Sequence, residues 1–143
     1  MIPLTENATS VLQAVITLAA WTMVMWLWML GTRIRAMNKA KLDPQVAART
    51  NDLPLPQKVL QVSDNYNHLF EAPTVFYAVA IAVVLMNLAD QLHVILAWGY
   101  VILRVVHSVV QATINLVMIR FLVFTGSWLL LAAMIVRAIL ASF

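Results

Sequence analysis

Four apolar runs, each close to the length that crosses a bilayer, constrain this chain more than any other feature. A membrane span needs about 20 mostly apolar residues to cover a hydrocarbon core about 30 Å thick. The first run, Val11 to Thr32, carries no charge. The second, Leu69 to Ala89, holds only Glu71, and the third, Leu92 to about Val117, holds His93, Arg104 and His107. The fourth, Phe121 to Leu140, ends near Arg137. Glu6 is the only charge before the first run, and Arg33 and Arg35 close it. A cleaved signal would show a basic start and a shorter apolar stretch, so this run reads as a retained helix. The expected fold is all-α: a single four-span antiparallel bundle with spans at about 11–32, 69–89, 92–117 and 121–140.

Composition agrees. Of the 143 residues, 63% are hydrophobic and 10% charged, against about half and about a quarter in an average soluble domain. A water-soluble domain is excluded. With no cysteine, disulfides, thiolate metal sites and a protein-borne thiol nucleophile are excluded as well, and no metal site is expected. Six of the nine Lys and Arg residues fall between Arg33 and Lys58, beside a membrane run, so the net charge of +3 reports topology and not nucleic acid. Short basic loops mark the cytoplasmic side. The 33–58 loop and the loop holding Arg120 are therefore expected inside, with both termini and the Asp90 turn outside. Pro44, Pro54 and Pro56 forbid one continuous helix through the first loop. Pro56 suits the first turn of a helix that starts before the membrane and continues as the second span.

The polar residues within the spans are not scattered. At 100° per residue, Asp64, Asn67, Glu71 and Thr74 form one stripe of the second span, with Ala78 and Ala82 continuing it as a close-packing face. In the third span His93, Ala97, Tyr100, Arg104, Ser108, Gln111 and Asn115 share a narrow face, with His107 at its edge. A charged side chain at mid-membrane costs about 3 kcal/mol on insertion scales, so this face belongs to a bundle interior or a wet cavity. Only Asp90 and Gln91 separate the second and third runs, which predicts a tight hairpin. Of the six carboxylates, elimination by position leaves Glu71, and nearer the surface Asp64, as partner for Arg104. Hairpin counting puts Arg104 about 9 Å deeper than Glu71, within reach of a leaning guanidinium. Such a pair serves equally to fix helix register. Arg120 alone reads as a topology anchor, Arg137 as a snorkelling end, Pro73 as a kink that frees the Leu69 carbonyl, and the tryptophans as packing or interfacial aromatics.

Two segments carry a resemblance: Asn65-Tyr66-Asn67-His68-Leu69-Phe70-Glu71-Ala72-Pro73, and Arg104-Val105-Val106-His107-Ser108, followed sixteen residues after Arg104 by Arg120. Together with Gly31 and Arg33-Ile34-Arg35 at the end of the first span, they resemble the MAPEG family, membrane-associated proteins in eicosanoid and glutathione metabolism. The second-span segment is similar to a bacterial branch, which implies a bacterial inner membrane.

The resemblance implies a homotrimer of four-helix subunits that binds glutathione at subunit interfaces on the cytoplasmic side and takes lipophilic substrates from the membrane lipid. It implies Arg120 as the catalytic, thiolate-stabilising residue. It implies Arg33, Asn67, His68, Glu71, Arg104, His107 and Gln111 as the cofactor-binding set, with Glu71 suited to the tripeptide's amino group and the arginines to its carboxylates. Asn67 and His68 stand where enzymes of the family carry an Arg-Asn pair. The function implied is a glutathione-dependent transferase or peroxidase acting on lipophilic electrophiles. The alternative is a non-catalytic member that binds lipid or a partner membrane protein, since fold alone does not decide activity.

Overall fold

The structure is a computed structural model that describes residues 4–42 and 55–143. Five helices follow in order: α1 Glu6–Ala40, α2 Gln57–His68, α3 Ala72–Leu85, α4 Gln91–Ala112 and α5 Val117–Ser142. No strand occurs among the described residues. Four segments are long and apolar enough to cross a membrane: α1, α2 with α3, α4, and α5. The loop residues Asp43, Pro44, Arg49, Asp52 and Pro54 lie outside the described residues.

Helix α1 starts where the Thr5 hydroxyl accepts the Ala8 N–H at 3.2 Å, a standard N-cap. It ends where Lys41 turns left-handed at φ 50° and donates its N–H to the Asn38 carbonyl at 3.2 Å. Its 35 residues extend about 52 Å at 1.5 Å each, so its last turns, with Arg33, Arg35 and Lys39, outrun the hydrocarbon. Ala8, Val11, Ala14, Leu18 and Met25 are its buried residues. Their spacing of three, four or seven marks the face turned to α4, α2 and α3.

The second span is two helices and not the continuous one expected from Pro56 onward. Pro73, in the first turn of α3, has no N–H for the Leu69 carbonyl. The chain answers with a short turn in which Leu69 N–H bonds the Tyr66 carbonyl at 3.1 Å and Phe70 N–H the Asn67 carbonyl at 2.9 Å. The break at Leu69–Glu71 is larger than the kink read from the sequence.

The second and third spans are likewise not a tightly packed hairpin. Residues Met86–Asp90 connect them, with Asn87 left-handed at φ 57° and Asp90 capping α4 by accepting the His93 N–H at 2.9 Å. Beyond that turn α3 lies against α1 and α5. It meets α4 mainly through large side chains, with Phe76 stacked on Tyr100 at 4.5 Å.

Helices α4 and α5 share the most extensive packing between any two helices of the described residues. A Cβ on Gly99 would lie 3.0 Å from Leu130 Cδ1, and one on Gly126 would lie 3.3 Å from Leu103 Cδ1. Each helix thus sets a leucine over the other's glycine. Helix α4 ends at Ala112, short of the expected Val117, and α5 begins at Val117, ahead of the expected Phe121. Arg120 therefore belongs to the first turn of α5 and not to a loop, its N–H bonding the Leu116 carbonyl at 3.0 Å.

Candidate functional site

The polar face of α4 is interior. His93, Tyr100, Arg104, His107, Ser108 and Gln111 are all buried. Arg104, 1% exposed, does not pair with Glu71: among the described residues no ion pair joins them. Its Nη2 donates instead to the His68 carbonyl at 3.0 Å, and its guanidinium lies 5.5 Å from the centre of the Phe124 ring. Helix α2 ends at His68, before the break, so that carbonyl has no strong helical donor; the Glu71 N–H reaches it only at 3.4 Å. The expected carboxylate partner is thus replaced by a backbone oxygen. Glu71, an exposed residue, takes the His68 ring, Nδ1 to Oε2 at 2.9 Å. Beside them Asn65, 1% exposed, donates from Nδ2 to the Ser108 hydroxyl at 2.6 Å and ties α2 to α4.

Arg120 is held by the turn before its helix. Asn115 adopts a left-handed φ of 51°, a conformation that asparagine tolerates better than most residues. Its N–H closes on the Val110 carbonyl at 2.7 Å, and its side-chain oxygen accepts from Arg120 Nη1 at 2.5 Å. Arg120 Nε is buried and has no partner among the described residues.

Two pockets meet at this arginine. One, of about 290 Å³, is polar and is lined by Gln61, Asp64, Asn67, His68, Glu71, Gln111, Asn115 and Arg120. The other, of about 260 Å³, is lined by His68, His107, Val117, Arg120, Phe121 and Phe124. His68 and Arg120 belong to both. Val117 and Phe121 are exposed on α5, so the second pocket opens at the surface of the chain.

Of the residues anticipated from the sequence, the polar pocket collects Asn67, His68, Glu71, Gln111 and Arg120, and the apolar one His107. Arg104 sits behind His68 and lines neither, and Arg33, half-buried on α1, is also absent from both. The candidate set had omitted Gln61, Asp64, Asn115 and the apolar lining Val117, Phe121 and Phe124. Asp64 and Asn115 were visible as members of the two polar stripes. Val117, Phe121 and Phe124 carry no sequence signal that separates a pocket wall from a lipid-facing surface.

The small-residue stripe does not pack within the chain. Asp64, Asn67, Glu71, Thr74, Ala78 and Ala82 are exposed, while α3 buries Phe76, Ala80, Val83 and Val84.

Fold and site define a four-span membrane protein in which a polar pocket abuts an apolar one across a shared arginine. A model of the MAPEG family matches residues 11–140, and the chain belongs to that family. It is an integral, multi-pass membrane protein. No curated protein and no solved structure is significantly similar to it.

Proposed function

We propose that the protein is a glutathione-dependent transferase or peroxidase in which a thiol from the cytoplasm acts on lipophilic electrophiles from the bilayer. The observation that carries this reading is the position of Arg120 on the wall common to the polar and the apolar pocket. Bound in the polar pocket, glutathione supplies a nucleophilic sulfur. Arg120 is the group placed to hold that sulfur as its anion. A free thiol has a pKa of about 8.5, and a fixed neighbouring cation lowers it, each unit being about 1.4 kcal/mol of preference for the thiolate. Asn115 occupies one Nη of Arg120 and so orients the fork, leaving Nε for a ligand. Gln111 Oε1, likewise buried without a partner among the described residues, suits an N–H of the tripeptide. Arg104 acts through His68, whose carbonyl it anchors, and is a positioning residue. Phe121 and Phe124 offer the electrophile an apolar wall that excludes water.

The reading includes a homotrimer. Charged and amide side chains on a membrane span are rarely left to lipid, and Asp64, Asn67, Glu71 and Thr74 are exposed on the isolated chain. A second copy packed along the small residues Ala78 and Ala82 covers them and brings basic residues of its α1 end, Arg33 among them, toward the pocket. The test is a difference absorbance spectrum of the detergent-purified protein on adding glutathione. A thiolate band that saturates with glutathione at neutral pH is expected; no band at saturation refutes the proposal.

A further inference from the structure

A guanidinium such as that of Arg120 stabilises an anion but cannot take up a proton, so a thiol ionised beside it needs another group to receive its hydrogen. His68 stands where that group is needed. It closes α2 and, with Arg120, lines both the polar and the apolar pocket. Its backbone is fixed from behind, where the carbonyl accepts Arg104 Nη2 at 3.0 Å. Its half-buried ring meets Glu71, Nδ1 to Oε2, at 2.9 Å across the helix break. An ionised carboxylate only accepts hydrogen bonds, so Nδ1 carries the hydrogen in this pair and the neutral ring presents Nε2 as a lone pair. A base oriented by a third group in this way is what activates a weak nucleophile. His107, the other imidazole of the apolar pocket, meets no carboxylate among the described residues. The charged and titratable groups about His68 are Glu71 beside it, Asp64 on α2, Arg104 and His107 on α4, and Arg120 on α5.

We infer that His68, oriented by Glu71, accepts the thiol proton and returns it to the product, and that the electrophile served is a conjugate acceptor, an α,β-unsaturated carbonyl on an apolar chain. The inference rests on the thiol reading above and deepens it. The S–H bond breaks and its proton passes to His68 Nε2, leaving a thiolate at Arg120 and an imidazolium whose Nδ1–H stays with Glu71. A sulfur electron pair forms the C–S bond at the β-carbon, the π electrons move into an enolate, and Nε2 returns its proton to the α-carbon. The sum is addition of S–H across the double bond, with no further reactant.

The readout is the proton itself. Glutathione is added to the weakly buffered, detergent-purified protein at about pH 7.5, between the ordinary values of an imidazole and a free thiol. The thiolate band and an indicator dye are followed together, with S-methylglutathione, which has no thiol proton, as the blank. The parent should release less than about half a proton per thiolate, and His68→Asn about one, because Arg120 still holds the sulfur while the solvent takes the hydrogen. His68→Asn should also lose at least about tenfold in kcat with nonenal, with KM for glutathione changed less than about threefold. With chlorodinitrobenzene, whose chloride leaves unprotonated, kcat should change less than about threefold. If His68→Asn fails to assemble, His68→Gln replaces it, and the parent's proton count needs no variant. A thiolate band with a whole proton released by the parent overturns the inference and leaves the thiol reading standing. Equal losses with both electrophiles overturn it too, and the absence of any band overturns both readings.

Discussion

Asp90 ties three parts of the fold with one carboxylate. Its Oδ1 accepts the backbone N–H of His93 at 2.9 Å and meets the His93 ring Nδ1 at 2.8 Å, and its Oδ2 accepts from Arg137 on α5. The backbone N–H of His93 chiefly holds its carboxyl below the ordinary value of 3.8; burial opposes it, and the His93 ring and the Arg137 charge add smaller lowering effects. A depressed carboxylate contributes stability that is complete above its unfolded pKa and is lost as the pH falls through the folded one. The contribution therefore begins to fall away below about pH 4 and is lost as the pH drops through the lower folded value. Asp90→Asn keeps a capping side chain but loses the charge. Its thermal stability in detergent should fall less on acidification below that pH than the parent's; superimposable profiles would contradict the assignment. Arg104 shows the limit of sequence reasoning at this scale. Elimination among carboxylates named Glu71, but the partner is a backbone carbonyl exposed by a helix break, and no side-chain inventory contains such an acceptor.

At the scale of elements, hydropathy made the four spans legible, and the polar periodicity of α4 made its interior face legible, because both depend on composition along one helix. What depends on how two elements meet was not legible. The residues flanking Leu69–Glu71 read the same in sequence whether the helix kinks or breaks, and the Phe76–Tyr100 stack between α3 and α4 is a matter of facing, not of sequence distance. The α4–α5 seam offers a direct check. Gly99→Ala places its methyl 3.0 Å from Leu130 Cδ1, the mobile end of a side chain. Its helix-propensity gain of up to about 1 kcal/mol should offset the strain and leave stability nearly unchanged. Gly99→Leu overpacks the seam and should cost about 1 to 3 kcal/mol in denaturant unfolding. A neutral Gly99→Leu would mean that the two helices are not in close contact.

For the whole molecule, the proposed function makes the exposed stripe from Asp64 to Ala82, beside the pocket, an interface between copies. Ala78→Cys, in a chain with no other cysteine, should cross-link between copies in the membrane with short bifunctional reagents. Ile139→Cys, on the outward side of α5, should remain monomeric under the same treatment. Equal cross-linking at both positions, or none at Ala78→Cys, would contradict a packed interface along α3. On the proposed function, Arg120, shared by both pockets, stabilises a thiolate. The most direct measurement compares the glutathione thiolate band in the parent, Arg120→Lys and Arg120→Leu proteins, with oligomer size recorded on each. A full band is expected in the parent, a partial one in Arg120→Lys, where charge survives without the planar fork, and none in Arg120→Leu, with assembly and much of the glutathione affinity intact in all three. A band that persists in Arg120→Leu, or one lost only because the assembly has come apart, would contradict it.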